Sequence, residues 1–68
     1  MKERYNMDNV LWELRTAHGY TLRQLEEISG VSRTEINNIE NGKVNPTIAT
    51  LQLLATALEV ELIELLKV

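Results

Sequence analysis

Apolar residues recur at three- and four-residue intervals along most of the chain, with polar residues between them. Leu11 and Leu14 carry that spacing, His18 extends it and Val10 lies beside it, which predicts a helix from about Asp8 to His18. Leu25 and Ile28 form the expected buried pair of a second helix, about Leu22 to Ser29. Ile36 and Ile39 do the same for a third, about Arg33 to Asn41. Ile48, Leu51, Leu54, Ala55 and Leu58 mark a longer fourth helix, and Leu62, Leu65 and Leu66 suggest a short fifth. No useful period-two alternation and no internal repeat is present. The pattern predicts an all-α chain of five short helices.

The residues between these stripes supply starts and stops. Thr21 with Gln24, and Ser32 with Glu35, have the spacing of capping boxes. Each is framed by an apolar staple pair, Tyr20 with Leu25 and Val31 with Ile36. Gly19 and Gly42 end the first and third helices, and Thr47 reads as the N-cap of the fourth. Lys43-Val44-Asn45-Pro46 is the one clear loop, and Glu59-Val60-Glu61 is a weaker break. Ser29-Gly30-Val31 is a sharp turn between the second and third helices, with glycine free to take positive φ. Two short helices joined in this way describe a helix-turn-helix unit, residues 21–42, whose second helix enters the DNA major groove. That helix carries Arg33, Thr34, Asn37 and Asn38.

Composition narrows the alternatives. A chain of 68 residues implies a single domain, 1–68, with no room for a separate ligand-sensing unit. No cysteine and one histidine exclude disulfides and argue against a structural metal. No cofactor and no small-molecule ligand is implied. Neither a nucleophile triad nor a phosphate-binding glycine loop is present, so no catalysis is expected. His18, beside Gly19, reads as a cation at a helix C-terminus, and Trp12 as a core-edge residue or, alternatively, an exposed one in a dimer or partner contact. No apolar run is long enough for a membrane span, and the first residues do not resemble a secretory signal, so a cytoplasmic site is expected. The net charge of −3 counts against a non-specific nucleic-acid coat but not against a specific reader. Between residues 21 and 43, Arg23, Arg33 and Lys43 face Glu26, Glu27, Glu35 and Glu40, so a DNA face requires these charges to separate.

The run Gly-Val-Ser-Arg-Thr-Glu-Ile-Asn-Asn-Ile-Glu-Asn-Gly-Lys, residues 30–43, followed by Asn45-Pro46-Thr47 and the apolar stretch Leu51 to Leu58, resembles the Cro/CI-type helix-turn-helix family of small phage and bacterial repressors. The resemblance runs from about Asn9 to Leu66. It implies a compact five-helix, lambda-repressor-like DNA-binding domain. It implies base reading by Arg33, Thr34 and Asn38, where Arg suits guanine and Asn suits adenine. Backbone contacts would come from Thr21, Leu22, Arg23, Ser32, Asn37, Asn41 and Lys43, with N–H groups at Thr21 and Leu22 available to a phosphate. It further implies an ion pair between Arg15 and Glu40. Departures from the family pattern are Leu22 in place of a frequent Gln, Glu26 in place of a small residue, Glu59 and Glu61 in place of Gly and Ser, and Ile63 in place of a polar residue. A glutamate at 26 must angle outward or find a partner.

Two functions follow. The leading one is a sequence-specific transcriptional regulator, a repressor in most of this family, with helix 3 reading double-stranded DNA. The alternative is an antitoxin-like or accessory protein-interaction module on the same fold, favoured by the acidic charge, Leu22 and Glu26. A homodimer on a palindromic operator is expected, because one recognition helix spans few base pairs. Leu62, Ile63, Leu66 and Val68 are the candidate contact, since helix 5 carries apolar groups on more than one face.

Overall fold

Thr21 and Gln24 exchange hydrogen bonds at the start of the second helix: the Gln24 N–H donates to Thr21 Oγ1 at 3.0 Å and the Thr21 N–H to Gln24 Oε1 at 2.8 Å. Local chemistry of this kind sets most element boundaries in the computed structural model, which describes residues 7–66, with side chains from Val10 onward. The helices are α1 (Met7–Ala17), α2 (Leu22–Ser29), α3 (Arg33–Glu40), α4 (Ile48–Leu58) and α5 (Leu62–Leu66). No strand occurs among the described residues. None of the described helices is long and apolar enough to cross a membrane.

Ser32 and Thr47 cap α3 and α4, each hydroxyl accepting an N–H three residues on, at 3.1 Å in both cases. The Ser32 box is therefore closed from one side, and the reciprocal bond from Glu35 is not made. Gly30 turns the chain from α2 to α3 with φ 84°, its N–H on the Glu26 carbonyl at 2.8 Å. The end of α3 carries paired bonds, Lys43 N–H to Asn38 O at 2.8 Å and Gly42 N–H to Ile39 O at 3.0 Å. This is a Schellman closure. The same closure ends α4 (Val60 to Ala55, Glu59 to Thr56), but here the left-handed residue is Glu59, with φ 60°.

α1 packs on α3 and α5, α2 on α3 and α4, and α4 on α5. At the junction lie Leu11, Leu25, Ile36, Ile39, Leu54, Leu58 and Leu65, all fully buried. Each such side chain contributes roughly 1.5–3 kcal/mol relative to exposure. Leu14, Tyr20, Leu22 and Leu62 pack half-buried around them.

Three sequence expectations change. Ile28 is 50% exposed, because α2 buries the stripe Leu22, Leu25, Glu26 and Ser29, and Ile28 falls one position off it. Ser29 takes the inner place, its Oγ accepting the Val31 N–H at 3.0 Å. Ile48 is 60% exposed. It opens α4, where side chains lean toward the N-terminus and so overhang the preceding loop instead of the core. Trp12 is 52% exposed, a full helical step round from buried Leu11, and lies outside the core edge.

His18 makes long-range contacts that the local pattern does not announce. Its Nε2–H donates to the Leu58 carbonyl at 2.9 Å, and its ring stacks on Tyr20 with centroids 5.1 Å apart. The side chain thus closes the Leu58 carbonyl at the end of α4 from across the fold.

Candidate nucleic-acid interface

With Ile36 and Ile39 turned inward, the opposite side of α3 presents Thr34, Asn37, Asn38 and Asn41 at i, i+3, i+4 and i+7. Thr34, Asn37 and Asn41 are exposed, and Asn38 is half-buried. Asn41 is tied to its neighbour, its Nδ2 donating to Asn37 O at 2.9 Å and to Asn37 Oδ1 at 3.1 Å. The stripe is uncharged and rich in amide groups. Its ends are basic, Arg33 at the N-terminus of α3 and Lys43 just past the C-terminus, both exposed.

Of the four acids between residues 21 and 43, Glu40 is withdrawn from this face. Arg15 Nε donates to Glu40 Oε2 at 2.7 Å and Arg15 Nη2 to Glu40 Oε1 at 2.9 Å. The third donor, Nη1, reaches the Tyr20 carbonyl at 2.9 Å. The side chains are only 12% and 6% exposed, so this is a two-pronged, largely dehydrated pair joining α1 to α3. Glu26 is the second acid with a partner: its Oε1 lies 3.8 Å from Arg33 Nε.

At the head of α2 the capping box already occupies the Thr21 N–H, so that group is not open to a phosphate as the sequence suggested. The N–H groups of Leu22 and Arg23, in the first turn, have no carbonyl one turn earlier to bond. The Leu22 side chain packs half-buried against the core, while Arg23 is exposed. Among the described residues, no group of three or more His, Cys, Asp or Glu could hold a metal ion.

A family model described as helix-turn-helix matches residues 13–65. The chain belongs to the Cro/CI-type helix-turn-helix family. The HTH-type transcriptional regulator SutR of Escherichia coli (strain K12) is 39% identical over 54 residues, covering 79% of this chain and 30% of SutR. The chain therefore spans less than a third of that relative. Among solved structures, the restriction-modification controller protein C.AhdI from Aeromonas hydrophila is similar with TM-score 0.84 and 37% identity, over 87% of this chain and 89% of C.AhdI. SinR of Bacillus subtilis, the master regulator for biofilm formation, solved in complex with DNA, is similar with TM-score 0.84 and 31% identity, over 90% of this chain and 98% of that one. The helix-turn-helix family comprises DNA-binding regulators, not enzymes. Its five-helix, all-α architecture is the one seen here.

Sequence reasoning within the helix-turn-helix unit missed the Asn41–Asn37 and Val31–Ser29 hydrogen bonds and the approach of Glu26 to Arg33. The last is the one that touches a candidate base reader. Its signal was available: opposite charges seven residues apart on either side of the turn, with glutamate at a position the family gives to a small side chain. The candidate dimer residues are distributed unevenly. Leu62 is half-buried, Ile63 is 64% exposed and Leu66 is 39% exposed. Val68 lies outside the described residues.

Proposed function

We propose that this single helix-turn-helix domain is a sequence-specific DNA-binding transcription regulator that lays α3 in the major groove and represses by occupying a promoter. The observation that carries the reading is the amide-rich stripe of α3, held outward by buried Ile36 and Ile39 and flanked by Arg33 and Lys43. Arg33, Thr34 and Asn38 read base edges. Arg grips guanine O6 and N7, Asn pairs with adenine N6 and N7, and Thr meets a thymine methyl. Thr21, Leu22, Arg23, Ser32, Asn37, Asn41 and Lys43 line the phosphates and set register. For Thr21 the contact falls to the hydroxyl, its N–H being engaged. The burial of Glu40 against Arg15 supports the reading, because it removes one carboxylate from the approaching phosphates.

A homodimer on a palindromic operator completes the proposal, with Leu62, Ile63, Leu66 and Val68 as the candidate contact. Such a role belongs in the cytoplasm beside the DNA. Selection of bound duplexes from a random pool tests the whole reading. Enrichment of a two-half-site sequence supports it, and recovery of an unenriched pool defeats it. The alternative, a protein-docking module, is favoured by exposed Ile28, Ile48 and Leu53, and gains ground only if no sequence is enriched.

A further inference from the structure

Arg33 is the first residue of α3, fixed from behind by the Ser32 cap. Glu26 lies one turn before the end of α2, and its carbonyl holds the Gly30 N–H across the tight turn at 2.8 Å. The turn therefore sets the two backbone positions relative to each other, and Glu26 Oε1 lies 3.8 Å from Arg33 Nε. That distance is an ion-pair contact, and a shift of under about 1 Å would make it a hydrogen bond. The atom involved matters. A guanidinium offers five N–H donors in a rigid plane, and a contact at Nε leaves the Nη1/Nη2 end uncommitted. The terminal pair is suited to a two-pronged grip on guanine.

We propose that Glu26 is a positioning residue for Arg33, holding the Nε edge of the guanidinium so that its Nη end faces a guanine in the major groove. The proposal rests on α3 reading DNA as argued above. The side chains are 54% and 36% exposed, so in water the pair is screened and contributes little to folding. Against DNA the water is displaced, the local dielectric falls, and the same contact restricts the arginine far more strongly. The carboxylate also repels phosphates of every sequence. Glu26 thereby lowers affinity for all duplexes while raising the advantage of the one that places guanine under Arg33.

The test compares wild type, Glu26→Ala, Glu26→Gln, Arg33→Ala and the double Glu26→Ala/Arg33→Ala on the selected duplex and on its three variants at the base pair read by Arg33. Glu26→Ala is expected to bind all four more tightly while its guanine preference falls by at least roughly fivefold. Glu26→Gln, which keeps an oxygen acceptor for Nε–H, is expected to regain part of the preference. In the Arg33→Ala background, Glu26→Ala is expected to change no preference at that base pair. Thermal melts of the single variants near wild type show that the fold is intact. A Glu26→Ala protein that binds all four duplexes more tightly with the guanine preference unchanged overturns the positioning role and leaves only charge repulsion. A wild type that shows no preference among any duplexes overturns the DNA reading and this inference together.

Discussion

Arg15 and Glu40, 25 residues apart, are joined by two hydrogen bonds of 2.7 and 2.9 Å, and the same guanidinium holds the Tyr20 carbonyl. The pair links the end of α1 to the end of the proposed recognition helix. A buried pair of this kind need not add net stability, because both charges lose water. Removing one partner is a different matter. Arg15→Met is expected to cost about 3–5 kcal/mol in urea denaturation, since Glu40 is left buried and alone. That is comparable with the whole stability of so small a domain. Arg15→Met combined with Glu40→Leu is expected to recover most of the loss. A single variant within about 1 kcal/mol of wild type would show that the pair holds nothing.

Reading and clamping residues should separate in binding. Arg33→Ala and Asn38→Ala are each expected to cost about 1–3 kcal/mol on the specific site and to relax preference at one base pair. Lys43→Ala is expected to weaken all sequences alike and reduce the salt slope by about one. Titrations on a panel of duplexes at several salt concentrations check this. Identical behaviour of Arg33→Ala and Lys43→Ala across the panel would dissolve the distinction.

Glu59 closes α4 with φ 60° and ψ 40°, in a position where glycine relieves the clash between Cβ and the backbone. Glu59→Gly is expected to raise stability by about 0.5–1 kcal/mol, the relief of strain outweighing the added freedom of the unfolded chain. Gly30, at φ 84°, gives the converse case. A Cβ built there meets nothing within 4 Å, so Gly30→Ala is strained by its dihedral alone and is expected to cost about 1–2 kcal/mol. Chemical denaturation of both variants is the measurement. A loss on Glu59→Gly would mean that its side chain makes a stabilising contact that outweighs the strain.

What could be read from the sequence was mostly local. Thr21 with Gln24, Ser32 and Thr47 announce helix starts because the capping hydrogen bond spans three residues of chain. The phase of α2 was harder to see. Its inner stripe of Leu22, Leu25, Glu26 and Ser29 has only two strongly apolar members, so apolar spacing alone points to Ile28 and the wrong face. The partner carbonyl of His18, Leu58, lies 40 residues on, out of reach of any local pattern. Arg15 and Glu40 are paired by family resemblance alone, because no local pattern joins residues 25 apart. Glu26 and Arg33 show the same limit: a turn of known type brings them together, but only the geometry identifies Nε as the contacting atom.

The surface of α5 supports one last expectation. Leu65 is fully buried, which fixes the phase of this short helix. Ile63 then lies 64% exposed and Leu66 39% exposed, while Leu62 is half-buried beside them. Single exposed apolar residues are ordinary, but several on one five-residue helix of a small domain suit an interface. A second copy is the partner that a reader of two half-sites about 10 bp apart requires, and one patch used twice is the commonest oligomer arrangement. Wild type is expected to sediment as a dimer at least on a palindromic site, and Ile63→Glu as a monomer with weakened binding, since a charge on a shared apolar patch is placed against its own copy. Helix α5 packs on α1 and α4 through its inner face, so Ile63→Glu is expected to leave the thermal midpoint of the monomer nearly unchanged. Wild type that remains monomeric on a palindromic site would remove α5 from the interface and leave each domain reading its half-site alone.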